Sequence, residues 1–379
     1  MQWQLIESDD ALQVLLSKAK GCEVVIVDTE FMRRNTFYPE VALVQLCFAS
    51  ADPSDQASSE MAWLVDPLRI ADPAPLAALF TDPTVLKVLH SASEDLEVFQ
   101  RWLGVMPQPL FDTQRAAALL NIGFGVGYSA LVQEICGVDL LKGETRSDWL
   151  QRPLTESQCE YAGQDVTWLL PVWRALHTRC VDEDKLAWVL ADGCDATKAL
   201  GTEVDHFHKR IKSAWKLDRR QLGILVAVCR WREATARARD KPRGWIIDDE
   251  TCLRLALEDP ASLAAFDDQV KLPSSVLRRH GEELLELLAA QRAVTDLPQA
   301  LPAPLNAVQR QQVKQLKAQV RKIAATLSVA PEVLVQSKDY ELLLREAQGD
   351  TVELPAHWWG WRELLVFAPL RESLAGCAG

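Results

Sequence analysis

The 379-residue chain lacks any apolar run close to the length that a membrane helix needs. A helix that crosses a bilayer requires about 20 consecutive, mostly apolar residues. The first ten residues, MQWQLIESDD, also lack the basic start and the apolar stretch of a signal peptide. From these two absences we expect a cytoplasmic protein that makes no use of a membrane.

Paired cysteines are missing as well. The nine cysteines are scattered, and no two of them form a Cys-x-x-Cys pair. Zinc sites and disulfide frameworks depend on such regular spacings, so neither is predicted. Reduced, mostly buried thiols are the expectation, as is usual for a cytoplasmic protein.

A true glycine-rich nucleotide loop is also absent. The stretch Gly123–Tyr128, GFGVGY, has its third glycine at the wrong spacing, and a helical run precedes it where a strand would be required. We therefore predict a loop before the next helix and no nucleotide cofactor.

What the chain does have is an uneven distribution of charge. Its net charge is −12, but residues 1–200 hold 15 basic and 29 acidic residues, a net of −14, whereas residues 201–379 hold 26 and 24, a net of +2. Within the second part, Lys209 to Arg243 contains 12 basic and 3 acidic residues, a net of +9. This basic stretch is either a solvated helix face or a track for a polyanion, since Lys and Arg neutralise phosphates.

Periodicity divides the chain in a similar way. Residues 1–200 alternate between strand-like and helical runs, which predicts an α/β domain around one central sheet. The predicted strands are Val24–Val27, Val41–Phe48, Met61–Val65 and Val85–Leu89, and the predicted helices are Asp10–Ala19, Ser93–Leu103, Gln114–Leu120, Tyr128–Cys136 and Ser157–Leu176. The polar, breaker-rich stretch 51–60 should be an exposed hairpin loop. After residue 200 helical patterns dominate, and the proline-rich stretch 297–304 indicates a stiff linker.

Two pairs of functional residues have suggestive local spacing. Asp28 and Glu30 follow the apolar run 21–27, and residues i and i+2 of a strand point to the same face. Tyr161 and Asp165 stand at i and i+4, which makes them neighbours on one helix face. Taken alone, the first pair is more often a solvent-facing strand end and the second a surface pair. Carboxylates converging from distant parts of the chain would instead favour hard cations such as Mg²⁺ or Mn²⁺.

The order of these motifs resembles the ribonuclease D family, in the branch of DEDD 3′-to-5′ exonucleases whose third motif contains tyrosine. The three matching motifs are VDTEF at 27–31, LHSASEDLE at 89–97 and YAGQDV at 161–166. Flanking segments match too, at 36–39, 111–114 and 147–154. The resemblance implies a ribonuclease H-like exonuclease domain with a central mixed sheet.

The resemblance also implies a mechanism. Four carboxylates, Asp28, Glu30, Asp95 and Asp165, would hold two Mg²⁺ or Mn²⁺ ions, one lowering the pKa of a bound water and the other stabilising the leaving 3′ oxygen. Tyr161 would orient the attacking water, because a phenol with a pKa near 10 is a poor base. Contacts to the terminal nucleotide are expected, by motif position alone, from Thr29, Phe31, Gln45 and His90.

The second half of the chain resembles tandem HRDC domains, which are all-α modules shared by RecQ-type helicases and ribonuclease D. The implied division is an exonuclease domain at 1–205, a first HRDC domain at 206–294, a proline-rich linker at 295–304 and a second HRDC-like domain at 305–379. The expected partner is RNA, namely tRNA precursors and other small structured RNAs, bound along an exposed basic track. The residues proposed for this track are Lys209, Arg210, Lys212, Lys216, Arg219 and Arg220. A DNA-directed exonuclease and a non-catalytic RNA- or protein-binding scaffold are the rival functions.

Three other features have bland interpretations that we prefer or leave open. Asp112 is predicted to cap the helix that follows it, because Asp accepts hydrogen bonds from the free N–H groups there. The aromatic cluster 357–361 is predicted to fill a core, although stacking on bases is the alternative. His90 is either a core histidine or a substrate contact.

Overall fold

The computed structural model describes residues 2–49, 61–140, 143–200 and 206–376. The predicted hairpin loop at 51–60 lies outside the described residues. No helix within the described ranges is both long enough and apolar enough to cross a bilayer.

The first part of the chain builds a six-stranded mixed sheet. Its strands are β1 (Gln2–Ile6), β2 (Val24–Met32), β3 (Glu40–Ala49), β4 (Met61–Val65), β5 (Leu86–Leu89) and β6 (Leu110–Asp112). They lie in the order β1-β4-β3-β2-β5-β6. The pairs β2–β3 and β3–β4 are antiparallel, whereas β1–β4, β2–β5 and β5–β6 are parallel. The expected α/β class with a central mixed sheet is confirmed.

Strand β2 lies inside the sheet because it is apolar on both faces. Residues 24–27 are all buried, as expected for a strand that helices cover on both sides. Val24 and Ile26 belong to one hydrophobic core, and Val25 and Val27 belong to a second core. This alternation places β2 between two layers of helices and carries its polar end, from residue 28 onwards, to the edge of both cores.

Among the described residues up to 200, eight helices accompany the sheet. They are α1 (Asp9–Lys18), α2 (Ala74–Thr81), α3 (Ser93–Trp102), α4 (Thr113–Leu119), α5 (Tyr128–Cys136), α6 (Glu156–Thr167), α7 (Leu169–Asp182) and α8 (Leu186–Ala199). The single helix predicted at 157–176 is divided at Trp168 into α6 and α7. Pro171 explains the division, because it has no N–H to donate to the preceding turn.

The described residues from 206 to 376 are mainly helical. The elements are α9 (Arg219–Arg239), α10 (Arg243–Ile246), α11 (Asp249–Glu258), α12 (Leu263–Ala265), α13 (Ser274–Arg292), α14 (Ala307–Leu327), α15 (Pro331–Leu334), α16 (Asp339–Ala347) and α17 (Ala368–Gly376), with short 3-10 or π turns between some of them. Residues 297–304 form neither helix nor strand. The side chain of Arg219 donates to the backbone oxygens of Leu297 and Pro298, so part of this stretch is held against α9.

These elements form two compact units, and neither unit is one continuous stretch of chain. Unit 1 contains Met1–Met32, Glu40–Leu200 and Leu305–Gly379, and unit 2 contains Arg33–Pro39 and Gly201–Pro304. The four-part domain division drawn from the sequence therefore stays a prediction. The last segment, assigned in that division to a separate domain, belongs to unit 1 together with the sheet.

Buried polar contacts join the C-terminal segment to the rest of unit 1. The guanidinium of Arg362 donates to both carboxylate oxygens of Asp192 in α8, at 2.6 and 2.7 Å, and both side chains are almost fully buried. Trp361 stacks on Trp188 with ring centroids 4.5 Å apart. The N–H of Ala330 donates to the backbone oxygen of Ala118 at 2.8 Å, where α4 ends.

Unit 2 includes a short segment from the turn between β2 and β3. Phe37 is buried in the hydrophobic core of this unit, with the guanidinium groups of Arg237 and Arg243 over its ring at 4.8 and 4.6 Å. The carboxylate of Asp240 accepts from the N–H groups of Phe37 and Tyr38 at 2.8 and 3.0 Å. The segment is therefore a built-in part of the helical core.

Candidate active site

Strand β2 delivers the first two acidic side chains of the candidate site. Asp28 and Glu30 alternate with the buried Thr29, so both carboxylates lie on one face of the strand. The register between β2 and β3 shifts immediately after Glu30. Such an irregularity bends a strand locally, and here it falls next to the second carboxylate.

Helix α6 supplies the opposing side chains. It begins with a capping box in which the Thr155 side chain accepts from the N–H of Gln158 and the Gln158 side chain accepts from the N–H of Thr155. The box fixes the first turn of the helix. α6 packs over β2, β3 and β4, and Tyr161 and Asp165 lie one helical turn apart.

Three carboxylates converge between these two elements. One oxygen each from Asp28, Glu30 and Asp165 lie within 4.8 Å of one another. Side chains separated by more than 130 positions in the sequence thus share one small volume. Oxygen atoms in this arrangement are suitable ligands for Mg²⁺ or Mn²⁺.

The fourth predicted carboxylate approaches from the other helix layer. Asp95 lies in the first turn of α3 and is buried. Its side chain accepts a hydrogen bond from the hydroxyl of Thr29, which faces away from Asp28 and Glu30. Asp95 is not one of the three residues whose oxygens lie within 4.8 Å, but its charge contributes to raising the pKa of Glu30.

Burial and mutual repulsion disfavour the ionised forms of the carboxyl groups in this site. Burial and the charge of Asp165 raise the pKa of Asp28 well above its usual range. Burial, followed by the charges of Asp28 and Asp165, raises the pKa of Glu30 to about 10. Burial raises the pKa of Asp165 to about 8. A bound divalent cation would reverse this penalty, since it stabilises the ionised carboxylates. The residues present therefore fit a metal site.

Two tyrosines border this charge. Burial, and then the charges of Asp165 and Glu30, raise the pKa of Tyr161 above its usual range, so its phenol keeps its proton at neutral pH. The sequence predicted Tyr128 only as the start of a helix. Burial is the main cause of its raised pKa, and the charges of Asp165 and Asp28 raise that pKa further. Its hydroxyl donates to the backbone oxygen of Gln164 at 2.9 Å. A tyrosine 33 positions before Tyr161 gives no local signal by which the sequence could have revealed this contact.

The predicted substrate contacts have different environments. Gln45 is fully buried opposite Asp28 in the β2–β3 register, and its side-chain amide has no hydrogen-bond partner among the described residues. Phe31 is half-buried. His90 is half-buried, and its Nδ1 lies 2.9 Å from the hydroxyl of Thr113. Buried polar groups are usually hydrogen-bonded, so a water or a ligand would satisfy the Gln45 amide beside the carboxylates.

The predicted basic track belongs to unit 2, and all six of its side chains are exposed. Two of its arginines already have backbone partners: Arg219 donates to residues 297 and 298, and Arg220 donates to the backbone oxygen of Arg292. Lys216 lies over the ring of the partly exposed Trp215 at 5.7 Å. The lysines are therefore the more available part of the proposed track.

Several bland interpretations are supported by the structure. Asp112 caps α4 by accepting from the N–H groups of residues 114 and 115. The glycine-rich stretch leads into α5, with Gly127 as the cap residue and Gly125 in the left-handed region at φ 66°. The aromatic cluster divides: Trp358 is fully buried and Trp361 is stacked on another tryptophan, whereas Trp359 is 51% exposed.

Comparison with known proteins agrees with this geometry. A family model described as 3′-5′ exonuclease matches residues 3–180, and an HRDC domain model matches residues 221–288. Ribonuclease D from Pseudomonas paraeruginosa is 40% identical over 99% of this chain and 97% of its own length. Ribonuclease D from Escherichia coli is 36% identical over 99% of both chains. The chain belongs to the ribonuclease D family.

Solved structures add the shape of the fold. The crystal structure of Escherichia coli RNase D matches with a TM-score of 0.88 and 34% identity, over 99% of each chain. The catalytic core of RRP6 from Trypanosoma brucei matches with a TM-score of 0.56 and 21% identity, over 77% of this chain and 80% of that one, and shows a shared fold alone.

Membership in the ribonuclease D family makes this chain a 3′-to-5′ exoribonuclease, a hydrolase that acts on RNA. The DEDD exonuclease family uses divalent metal ions, and the carboxylate cluster is present here. The resemblance drawn from the three sequence motifs is confirmed, as is one HRDC domain. The second HRDC-like domain stays a prediction.

Proposed function

We propose that this exoribonuclease releases 5′ mononucleotides from RNA 3′ ends with the help of two divalent cations, Mg²⁺ or Mn²⁺. Asp28, Glu30, Asp95 and Asp165 would hold the ions. The convergence of three carboxylate oxygens within 4.8 Å, from β2 and α6, is the observation that carries the proposal. When bound, the two ions would supply an activated water and charge stabilisation for the leaving 3′ oxygen.

The chain's own residues would position the reactants. Tyr161 would hold the attacking water by hydrogen bonding, and its raised pKa supports this role over that of a general base. Thr29 would act mainly through Asp95, to which its hydroxyl donates. Gln45 would offer its free amide to a water or to the terminal nucleotide, and Phe31 and His90 remain proposed contacts at the same end of the sheet.

The substrates would be tRNA precursors and other small structured RNAs, and the proposed location is the cytoplasm. The basic residues of unit 2 would contact the phosphates of these RNAs, because exposed Lys and Arg release counterions when they neutralise a backbone. The lysines at 209, 212 and 216 are the principal candidates, since the arginines at 219 and 220 are engaged by backbone oxygens.

Degradation of a 3′-labelled RNA, with and without Mg²⁺, would test the proposed chemistry. We expect release of the labelled terminal nucleotide as a 5′ mononucleotide with Mg²⁺, none in EDTA, and none from the Asp28→Asn or Asp165→Asn variant. A matched DNA strand tests the rival substrate. Calorimetric titration of the metal-free protein would count the ions. Near-normal turnover of either variant would remove that carboxylate from the metal site, and saturation at one ion would reject the two-metal proposal.

A further inference from the structure

Two neighbouring side chains bind the last residue of β5, Leu89, and all three residues, 90–92, that join β5 to α3. These side chains belong to Asp112 and Thr113, where β6 ends and α4 begins. The carboxylate of Asp112 accepts from the N–H of Ser91 at 3.1 Å and from the N–H of Ala92 at 3.0 Å. Asp112 therefore does more than cap its own helix, because it also holds the loop in front of α3.

Thr113 binds the other half of the same loop. Its hydroxyl donates to the backbone oxygen of Leu89 at 3.1 Å and lies 2.9 Å from Nδ1 of His90. Thr113 itself is fully buried. Two consecutive residues thus fix residues 89–92 from the neighbouring strand.

This loop needs outside support. Ser91 has a φ of 60°, in the left-handed region that residues other than glycine seldom adopt. Ala92, the cap residue of α3, makes no side-chain cap hydrogen bond, as an alanine cannot. No side chain at the cap position accepts from the free N–H groups before α3. The carboxylate of Asp112, which is distant in sequence, is the acceptor instead.

The direction of α3 matters because its first turn carries Asp95. The hydroxyl of Thr29 donates a hydrogen bond to the Asp95 carboxylate. The position of that carboxylate is otherwise set by the start of the helix, three residues after Ala92. A small rotation of this turn would move Asp95 relative to the β2 carboxylates.

We propose that Asp112 and Thr113 are positioning residues for Asp95: they fix the β5–α3 loop so that Asp95 completes the metal site. This inference rests on the proposed function. Hydrogen-bonded partners behind a metal ligand typically change metal affinity or activity by about 10–100-fold when they are removed. We expect effects of that size here.

The chain allows a graded set of variants. Asp112→Asn keeps an oxygen where Oδ1 accepts from the N–H groups of residues 91, 114 and 115, but its amide nitrogen cannot accept from Ala92. Asp112→Ala removes all four bonds. Thr113→Val removes the hydroxyl and keeps the shape, without touching the cap of α4, and Thr113→Ser restores the hydroxyl.

The measurement is Mn²⁺ affinity of the full-length, metal-free protein, followed by electron paramagnetic resonance, together with kcat and KM on a short RNA. For Asp112→Ala we expect the Mn²⁺ Kd to rise about 10–100-fold and kcat to fall, with KM for RNA little changed. Asp112→Asn and Thr113→Val should show smaller changes in the same direction, and Thr113→Ser should behave like the unaltered protein.

Asp248→Ala is the matched control, because Asp248 also caps a helix, α11, by accepting from the N–H of Thr251. It should lower stability without changing Mn²⁺ affinity. Unaltered Mn²⁺ affinity in both Asp112→Asn and Thr113→Val would overturn the positioning role, even if Asp112→Ala failed to fold. Asp28→Asn separates the two ideas: if it too left Mn²⁺ binding intact, the metal site itself would be wrong.

Discussion

Repulsion among carboxylates dominates the site at the scale of single residues. Asp28, Glu30 and Asp165 have pKa values above the usual range when no cation is bound. A carboxyl group whose pKa is higher in the folded than in the unfolded state binds more protons when folded, so stability falls as pH rises between the two values. For Asp165 that window runs from its ordinary value of 3.8 to about 8, and for Glu30 from 4.5 to about 10.

We therefore expect the metal-free protein to lose stability between pH 5 and pH 9, and Mg²⁺ to restore it most strongly at the alkaline end. Asp28→Asn should abolish cleavage yet raise the melting temperature in EDTA at pH 9, because one of the repelling charges is gone. Thermal melts across pH, with and without EDTA, would measure both effects. Glu134→Gln, at an exposed carboxylate on α5, is the control; an equal gain from it would contradict a local origin.

Tyr161→Phe tests the phenol alone. The ring and its packing near Trp149 survive, and the hydroxyl is lost. We expect kcat to fall by about 10²–10⁴-fold, the usual contribution of a group that handles the attacking water, with little change in RNA binding. Single-turnover kinetics and a binding titration would separate the two. An unchanged kcat with a raised KM would instead make Tyr161 a substrate contact.

At the scale of elements, the pair formed by Arg362 and Asp192 joins the C-terminal segment to α8. Both side chains are buried, so removing one partner leaves the other charge uncompensated. We expect Arg362→Met to cost about 3–5 kcal/mol of unfolding free energy. Denaturant melts of the full-length protein would measure this loss.

The double variant Arg362→Met with Asp192→Leu should lose less stability than Arg362→Met alone, because no lone charge remains. Arg179→Met, at the more exposed pair with Glu183, should cost about 0–1 kcal/mol. Equal losses from the buried and the exposed pair would show that burial of the ion pair is not what joins the two elements.

The elements also show how far sequence reasoning reaches. The run 24–27 and the alternation at Asp28 and Glu30 are local patterns, and the structure places both carboxylates as that alternation predicts. β6 has three residues and so carries no period to detect. The bonds from Asp112 to residues 91 and 92 depend on the pairing of β5 with β6, which no local spacing encodes. The carboxylate cluster could be predicted only from the resemblance to a family, because β2 and α6 converge through tertiary packing and not through any local pattern.

At the scale of the whole molecule, charge is divided between the two units. Replacing Lys209, Lys212 and Lys216 together with Gln should weaken binding of a structured RNA and reduce its salt dependence by up to about three log–log units, roughly one for each phosphate that is no longer neutralised. A short oligonucleotide should be affected less. Lys18, Lys314 and Lys322, which are exposed in unit 1, give a control of equal charge. Matching slopes for both triple variants would mean that unit 2 has no specific phosphate track.

A shortened chain that ends near residue 205 looks, from charge alone, as if it would keep the chemistry and lose only its grip on structured RNA. The packing changes that expectation. Such a chain would lack the part of unit 1 that covers Trp188 and Asp192, which would be left exposed, and Phe37 would lose its core. We expect instead poor folding and weak activity even on short substrates. A cooperative melt and normal kcat for the shortened protein would contradict this.

The discontinuity of the two units bears on how the protein is made. A ribosome delivers the catalytic strands first, but the residues that complete unit 1, from Leu305 onwards, emerge only after residues 201–304. Residues 33–39 likewise emerge long before the helices that enclose them. Domains generally fold as units, starting from the N-terminal side during synthesis. Here unit 1, which contains the active site, could complete its folding only after residues beyond Leu305 have emerged. A newly made chain is thus expected to become an active RNA-degrading enzyme only after the residues that follow Leu305 have emerged, so the messenger being translated would not meet an active nuclease on its own nascent chain before then.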